Sequence, residues 1–128
     1  MRTSPSTQMG ATGTEQLSEQ KCRSLLASGT FGRVGLTSAG LPVILPVRYR
    51  VADGVISFAP TRDTTLRAAQ SGDVLAFEVD AFDSETGECW SVLALGRATV
   101  VSSERGPTVQ LRCELLTGQV TPAEPFDG

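Results

Sequence analysis

The sequence predicts a mainly β fold, an antiparallel barrel of six strands with two short helices. Extended segments with alternating apolar residues recur along the chain, and turn-forming dipeptides separate several of them. Only two short segments have helical periodicity. A parallel sheet needs a crossover helix between successive strands, so the hairpin connections favour antiparallel pairing.

The composition is that of one globular domain. The chain has 128 residues, of which 40% are hydrophobic and 20% charged, and a chain of this length forms a single core. We expect residues 1–13, which are rich in Ser, Thr and Gly, to form a disordered tail. Residues 14–120 then form the barrel domain, and residues 121–128 form a C-terminal tail.

Charge and residue content exclude several classes of function. A net charge of −3 argues against a nucleic-acid partner. The sequence has neither an apolar run of membrane-spanning length nor a signal peptide, so we expect a cytoplasmic protein without a membrane partner. Its three cysteines are widely spaced, which argues against a disulfide framework and a zinc site.

The absence of histidine restricts the available chemistry. With no histidine in the chain, a Ser-His-Asp triad, a Cys-His pair and a histidine-bound metal are all excluded. No other residue qualifies as a necessary acid or base, so we name no catalytic residue and no metal ligand. If the protein catalyses a reaction, we expect a cofactor to carry the difficult step.

The first helix and strand have clear boundary signals. Ser18 is a good N-cap, and Leu17 and Cys22 occupy the two positions of a hydrophobic staple. Gly29 is placed to end the helix. The following segment, Phe31 to Ser38, alternates apolar and polar residues and predicts the first strand.

The segment from Leu41 to Ala52 predicts the second strand, around which the chain is organised. One face points to the core and carries Val43, Leu45, Val47, Tyr49 and Val51. The other face carries Ile44, Pro46, Arg48 and Arg50, a mixture that is unusual for a surface in contact with water. Two prolines also place the strand at an edge or at a break in the pairing. We interpret this outer face as the wall of a ligand cleft.

The two arginines of this face allow different interpretations. Arg48 either blunts the edge of the sheet or donates a hydrogen bond to a ligand in the cleft. For Arg50 we favour a solvated side chain without a ligand.

The remaining elements follow in order. Asp53-Gly54 predicts a type I′ hairpin turn into a third strand from Val55 to Ala59. A second helix is predicted from Thr61 to Ser71, with Asp63 as its cap. A fourth strand alternates Leu75, Phe77 and Val79 with more polar residues.

The last two predicted strands are the longest. The fifth, from Cys89 to Ser102, is apolar on both faces, and we expect another subunit to cover its outer face. The sixth runs from Thr108 to Val120. Its predicted inward residues are Val109, Leu111, Cys113 and Leu115.

Several of these segments carry a family resemblance. They are C-R-S-L-L-A-S-G, F-G-R-V-G-L-T-S, G-L-P-V-I-L-P-V-R-Y-R-V, V-L-A-F-E-V-D, W-S-V-L-A-L-G-R-A and L-L-T-G-Q-V. In this order, and over roughly residues 17–120, the chain resembles the pyridoxamine 5′-phosphate oxidase-like flavoproteins, in particular the subgroup with the nitroimidazole-resistance proteins. The resemblance implies the FMN-binding split-barrel fold.

The resemblance also implies a homodimer with FMN at the subunit interface. The flavin lies against the second strand, its phosphate lies near the stretch from Ala59 to Leu66, and Trp90-Ser91 approaches the ring or the interface. The implied cofactor residues are Ile44, Pro46, Val47, Arg48, Tyr49, Ala59, Pro60, Thr61, Arg62, Thr64, Thr65, Trp90 and Ser91.

The chain departs from the family pattern at the phosphate. Relatives commonly carry an Arg-Thr pair after the third-strand aromatic residue and a Ser-Lys or Arg-Lys pair at the helix start. Ala59-Pro60 and Thr64-Thr65 stand there in this chain. Arg62, the threonine hydroxyls and the helix N–H groups are the available replacements, and Asp63 would repel a phosphate.

The resemblance implies three functions. The first is a flavin-dependent oxidoreductase that acts on a small molecule, whose identity the sequence does not give. The second is a non-catalytic flavin binder or sensor, or a split barrel that has lost FMN. The third is a reductase that uses the deazaflavin F420, whose acidic tail needs basic groups that are sparse in this chain.

Overall fold

A computed structural model describes residues 14–122 and contains, within them, nine strands and two helices. The strands are β1 (Glu15–Gln16), β2 (Phe31–Ser38), β3 (Leu41–Arg48), β4 (Arg50–Ala52), β5 (Val55–Phe58), β6 (Val74–Phe82), β7 (Cys89–Ser103), β8 (Gly106–Arg112) and β9 (Leu115–Thr121). The helices are α1 (Glu19–Ser28) and α2 (Asp63–Gln70). The tail predicted over residues 1–13 lies outside the described residues, as do residues 123–128. Neither helix is long and apolar enough to cross a membrane.

The strands form an antiparallel barrel that the chain itself closes. Neighbouring strands follow the order β3-β2-β6-β7-β8-β5-β4, and β9 pairs with both β7 and β1 beside this path. The two ends of the path, β3 and β4, are consecutive in sequence and separated only by Tyr49. The predicted mainly β, antiparallel split-barrel class is therefore confirmed.

The strand count differs from the predicted six because two predicted strands divide and one short strand, β1, carries no sequence pattern. The segment from Leu41 to Ala52 divides at Tyr49. The segment from Thr108 to Val120 divides at Cys113-Glu114, where the backbone N–H of Glu114 donates to the carbonyl oxygen of Leu95 at 2.9 Å.

This second break reverses the alternation of side chains. Leu115, predicted to point inward, is 52% exposed, and Leu116 packs against the core instead. An extra residue in a strand moves every later side chain to the opposite face. The prediction for Leu115 was therefore wrong, whereas Val109 and Leu111 are buried as expected.

The start of α1 agrees with the sequence prediction. The hydroxyl oxygen of Ser18 accepts a hydrogen bond from the backbone N–H of Lys21 at 3.1 Å. Cys22 is buried and Leu17 packs against the core, and both side chains lie beside Gly118. The N-cap and the staple positions are thus occupied as predicted.

The start of α2 differs from the prediction. The N-cap is Arg62, which makes no side-chain capping hydrogen bond, and Asp63 is the first helical residue. The proposed cap at Asp63 was wrong, because the carboxylate lies one position too late to accept from the N–H groups of the first turn. Thr65, Ala68 and Ala69 form the buried side of this helix.

The inward and outward faces of the central segment agree with the alternation of its sequence. Leu45, Val47 and Tyr49 are buried in the barrel, and Val43 and Val51 are partly buried. The residues between them, Ile44, Pro46, Arg48 and Arg50, are exposed. The hairpin after this segment has positive φ at Asp53 (52°) and Gly54 (76°), as the predicted type I′ turn requires.

Gly96 allows β7 to pair with strands of both halves of the barrel. Residues 89–97 pair with β6, and residues 98–103 pair with β8. At the junction, a Cβ on Gly96 would overlap the backbone carbonyl oxygen of Arg112. The close backbone approach therefore requires glycine at this position.

Candidate functional site

A cleft with a volume of about 570 Å³ opens on the outer side of the barrel, where β3 ends and β4 begins. This volume is within the range of small-molecule sites in proteins. Four segments of the chain, brought together by the closure of the barrel, supply its lining. The lining residues are Thr30, Arg48, Tyr49, Arg50, Ser57, Phe58, Ala59, Ser103, Arg105, Gly106, Pro107 and Thr108.

Tyr49 fixes the direction of the neighbouring side chains. Its buried ring packs edge-to-face on Phe77, with the centroids 4.8 Å apart, and its hydroxyl donates to the carbonyl oxygen of Leu26 at 2.6 Å. Burial raises the pKa of Tyr49, so the hydroxyl stays a donor at neutral pH. Because Tyr49 points inward, Arg48 and Arg50 on either side of it point outward to the cleft.

The cleft carries positive charge without a counter-charge. Arg48, Arg50 and Arg105 line it, and no aspartate or glutamate does so among the described residues. Within residues 14–122, their guanidinium groups form no ion pair or hydrogen bond. Ser57, which pairs with Arg50 across the β4–β5 ladder, adds a hydroxyl group. The cleft is therefore suited to an anionic ligand.

A second cavity, of about 470 Å³, adjoins the cleft at Pro107. Its lining residues are Pro60, Thr61, Arg62, Asp63, Leu66 and Pro107. The backbone N–H groups of Thr65 and Leu66 donate to the carbonyl oxygen of Arg62. One guanidinium and one carboxylate line this cavity, so their charges offset each other.

The predicted cofactor residues occupy several places. Arg48, Tyr49 and Ala59 line the cleft, and residues 60–62 line the adjoining cavity. Ile44 and Pro46 are exposed on β3, away from the cleft lining. The structure thus brings six of the predicted residues to two adjoining cavities.

The other predicted residues lie apart from the cleft in this chain. The side chains of Val47 and Thr65 point into the interior, with 3% and 1% of their surface exposed, so only their backbones could contact a ligand. Thr64 lines a small cavity on the other side of α2, beside Thr37 and Arg67. Trp90 is partly buried on β7. Their assignments to a cofactor stay predictions.

Ser91, the last of these residues, lines a cavity of about 450 Å³ on the outer side of β7, together with Glu78 and Leu93. Among the residues that the structure describes, this cavity shares no lining residue with the cleft. The assignment of Ser91 to a cofactor site therefore also stays a prediction.

Sequence reasoning missed two of the three arginines that line the cleft. Arg50 was interpreted as a solvated residue, although its position two residues after Arg48 placed both on one face. Arg105 lies between β7 and β8, and its approach to the cleft depends on how the barrel closes. No sequence pattern signals that approach.

An apolar face crosses five strands outside the barrel. Successive pairing registers align Ile44, Gly35, Ala76, Leu95 and Leu115 in one row, and Leu93 lies in the next row. Ile44 is 70% exposed and Leu115 is 52% exposed. Such a contiguous apolar surface is typical of an interaction site.

A charged cluster borders the apolar face. The Nη1 atom of Arg33 lies 3.0 Å from a carboxylate oxygen of Glu78 and 3.0 Å from one of Asp80. Burial, followed by the hydrogen bond and the charge of Asp80, raises the pKa of Glu78. These effects outweigh the opposite effect of Arg33, because a single cation is shared between two carboxylates.

A family model and a curated relative match this chain. A model of the pyridoxamine 5′-phosphate oxidase family matches residues 18–124. The uncharacterized protein Rv0080 of Mycobacterium tuberculosis is 39% identical over 93 residues, which are 68% of this chain. The chain spans 60% of the length of this curated relative.

Solved structures share the fold. The FAD binding protein from Mycobacterium smegmatis has a TM-score of 0.71 and 29% sequence identity, over 84% of this chain and 98% of that protein. A protein from Bacteroides thetaiotaomicron that is assigned to 5-nitroimidazole antibiotic resistance has a TM-score of 0.69 over 89% of this chain and 90% of its own. At 11% identity, this second likeness shows the fold alone.

Proposed function

The chain belongs to the pyridoxamine 5′-phosphate oxidase family, and from this premise we propose that it binds a phosphorylated flavin in the cleft beside Arg48. The observation that carries the proposal is the lining of this cleft, which combines apolar surface with three arginines that have no counter-charge. A flavin nucleotide has matching parts, a flat aromatic ring and an anionic phosphate. FMN is the form that the sequence resemblance implies. The likeness to the FAD binding protein from Mycobacterium smegmatis supports a flavin cofactor.

The chain's own residues fit a binding role. Ala59 and Pro107 are exposed and offer apolar surface to a ring, and Arg48 can donate to a ring carbonyl or to an anionic reduced ring. A bound flavin supplies hydride transfer. No histidine, lysine or carboxylate lines the cleft among the described residues, and the residues that do line it are suited to binding and orienting a ligand.

A homodimer is part of this proposal. The apolar face of Ile44, Gly35, Ala76, Leu95, Leu115 and Leu93 suits a second copy of the chain, because a two-fold interface joins one patch to itself. Phe31, which is exposed, pairs with Arg48 at the border between this face and the cleft. A partner on the apolar face would therefore lie next to the bound flavin.

The test is a titration of the purified protein, stripped of any bound cofactor, with riboflavin, FMN and FAD. We expect flavin absorption bands in the native protein and at least one nucleotide to bind more tightly than riboflavin. Arg48→Gln should weaken binding, whereas Arg112→Gln, at an exposed arginine outside the cleft lining, should not. A colourless protein that binds none of the three flavins would contradict the proposal.

Reduction experiments separate an oxidoreductase from a flavin store or sensor. For an oxidoreductase, we expect NADH or NADPH to reduce the bound flavin and a second substrate to reoxidise it. A flavin that stays oxidised with both nucleotides favours the binder.

One observation favours the deazaflavin F420 as a second candidate. The three unpaired arginines of the cleft supply the basic groups that its acidic tail needs. A titration with F420 beside FMN decides between the two, since the preferred cofactor will bind at a lower concentration.

A further inference from the structure

We propose that Arg50 and Arg105, which line the cleft together with Arg48, form the subsite that binds the phosphate-bearing part of the ligand. The ligand group is a phosphate ester or a diphosphate with a charge of about −2 at neutral pH. The assignment rests on the proposed function, since it locates the anionic group of the same ligand. It moves that group away from the start of α2, where the family pattern would place it.

The geometry brings these cations together from two distant parts of the chain. Arg48 and Arg50 flank the inward-pointing Tyr49 and share one wall of the cleft. Arg105 comes from the turn between β7 and β8 and lines the same cleft. Such convergence gives an anion donors on more than one side.

Hydrogen bonds and an unusual backbone angle hold the turn that carries Arg105. Its backbone N–H donates to the Ser103 hydroxyl at 3.3 Å, and that hydroxyl donates to the carbonyl oxygen of Gly106 at 2.9 Å. Gly106 has a φ of +110°, which favours glycine. The position of the Arg105 backbone beside the cleft is thus set by local structure.

The charge distribution favours the cleft over the α2 cavity. The cleft contains three guanidinium groups and no carboxylate among the described residues, whereas Arg62 shares its cavity with Asp63. Two other described arginines form ion pairs with carboxylates, Arg23 with Glu19 and Arg33 with Glu78 and Asp80. Three unpaired cations around one concave surface therefore favour an anionic ligand over simple solvent exposure.

The groups expected to replace the family's phosphate ligands at the start of α2 are also poorly placed to bind a phosphate. Thr65 is buried, and Thr64 lines a different cavity, on the other side of the helix. Ala59 and Pro60 have no side-chain donor. Beside the backbone N–H groups of the helix start, Thr61 and Arg62 remain as side-chain donors at that position, and Asp63 shares the cavity with them. Arg50 and Arg105 are therefore the stronger anion ligands.

The experiment compares Arg50→Gln, Arg105→Gln and the double variant with Arg62→Gln and with the control Arg112→Gln. Isothermal titration measures the affinities for FMN, FAD and riboflavin. We expect each single cleft variant to weaken the preferred nucleotide about tenfold and the double variant about a hundredfold. Riboflavin, which lacks the phosphate, should change less than about threefold.

The outcomes separate the possible locations and ligands. Loss of nucleotide affinity in Arg62→Gln, with the affinities of both cleft variants unchanged, would overturn the proposal. A loss of riboflavin affinity in the cleft variants as large as their loss of nucleotide affinity would also overturn it. Weaker binding of FMN in the cleft variants assigns a terminal phosphate to the subsite, and weaker binding of FAD assigns a diphosphate. Circular dichroism confirms that each variant is folded.

A titration with inorganic pyrophosphate keeps the proposal testable if no flavin binds. We expect pyrophosphate to raise the melting temperature of the wild-type protein and not that of the double variant. If neither a flavin nor pyrophosphate binds the wild-type protein, both proposals fail. If pyrophosphate alone binds and depends on Arg50 and Arg105, only the flavin assignment fails.

Discussion

The hydroxyl group of Tyr49 donates a 2.6 Å hydrogen bond to the backbone carbonyl oxygen of Leu26, which ties the closure point of the barrel to the last turn of α1. Gly29 makes room for this contact, because a Cβ at Gly29 would overlap the Tyr49 hydroxyl. The same tyrosine separates Arg48 from Arg50. Helix position and cleft geometry therefore depend on one buried side chain.

We predict that Tyr49→Phe lowers the free energy of unfolding by about 1–2 kcal/mol, because the buried carbonyl of Leu26 loses its best donor. The packing of the ring on Phe77 is retained. Urea denaturation followed by circular dichroism measures the change. Ser28→Ala removes an exposed hydrogen bond from the same helix end and should cost less than about 0.5 kcal/mol. Equal midpoints for wild-type and Tyr49→Phe protein would contradict the prediction.

We predict that Gly96→Ala destabilises the barrel by about 3 kcal/mol or more, because the new methyl group meets backbone that cannot move aside. Gly35→Ala is the matched control in another strand. There the nearest atom to the new Cβ is the Cβ of Ala76, at a distance of 3.5 Å. We expect this control to fold with a stability within about 1 kcal/mol of wild type. The yield of folded protein and chemical denaturation provide the comparison, and a Gly96→Ala variant as stable as the control would disprove the close approach.

We predict that Ile44→Glu converts a dimer into a monomer, because it places a charge on the apolar face of the proposed interface. Sedimentation velocity at micromolar concentration measures the mass. Val101→Glu changes an exposed apolar residue in the other half of β7 and should leave the dimer intact. A wild-type protein that sediments as a monomer, or an Ile44→Glu variant that stays dimeric, would rule out this interface.

We predict that the stability of the protein depends on pH because the Glu78 carboxyl titrates. Its pKa is raised above the ordinary value of 4.5, chiefly by burial, so the folded state binds the proton more tightly than the unfolded state. The resulting stabilisation is complete below pH 4.5 and is lost as the pH rises through the pKa of the folded state. Glu78→Gln mimics the protonated form, so its stability should rise relative to wild type over the same interval.

Urea denaturation between pH 4 and pH 7.5 tests this prediction at one fixed protein concentration. Glu85→Gln, in an exposed turn, is the control for the loss of one charge. Parallel stability curves for wild-type and Glu78→Gln protein would show that the Glu78 carboxyl has no effect.

Local patterns predicted much of the fold. The alternation from Val43 to Val51 placed the core-facing and outer residues of the central segment correctly, and Asp53-Gly54 forms the expected turn. These features depend on strand periodicity and on backbone angles, which are local properties. The family resemblance supplied the barrel topology.

Features that depend on long-range geometry were missed. The phase change before Leu115 follows from a backbone contact with β7, and the alternation of the sequence does not record it. The approach of Arg105 to Arg48 and Arg50 requires the closed barrel. Sequence reasoning could therefore identify one wall of the cleft, and the opposite wall became visible only in three dimensions.

The two ends of the strand order, β3 and β4, are joined through Tyr49 and not by a ladder of hydrogen bonds. β3 therefore keeps a free side, since among the described strands it pairs only with β2. Pro42 and Pro46 pair with Thr37 and Arg33 of β2, and because proline has no N–H, the missing donors belong to the free side. An incoming extended peptide would find two gaps in the row of donors there. The same prolines that mark this strand as unusual thus disfavour the addition of a further strand along its open border.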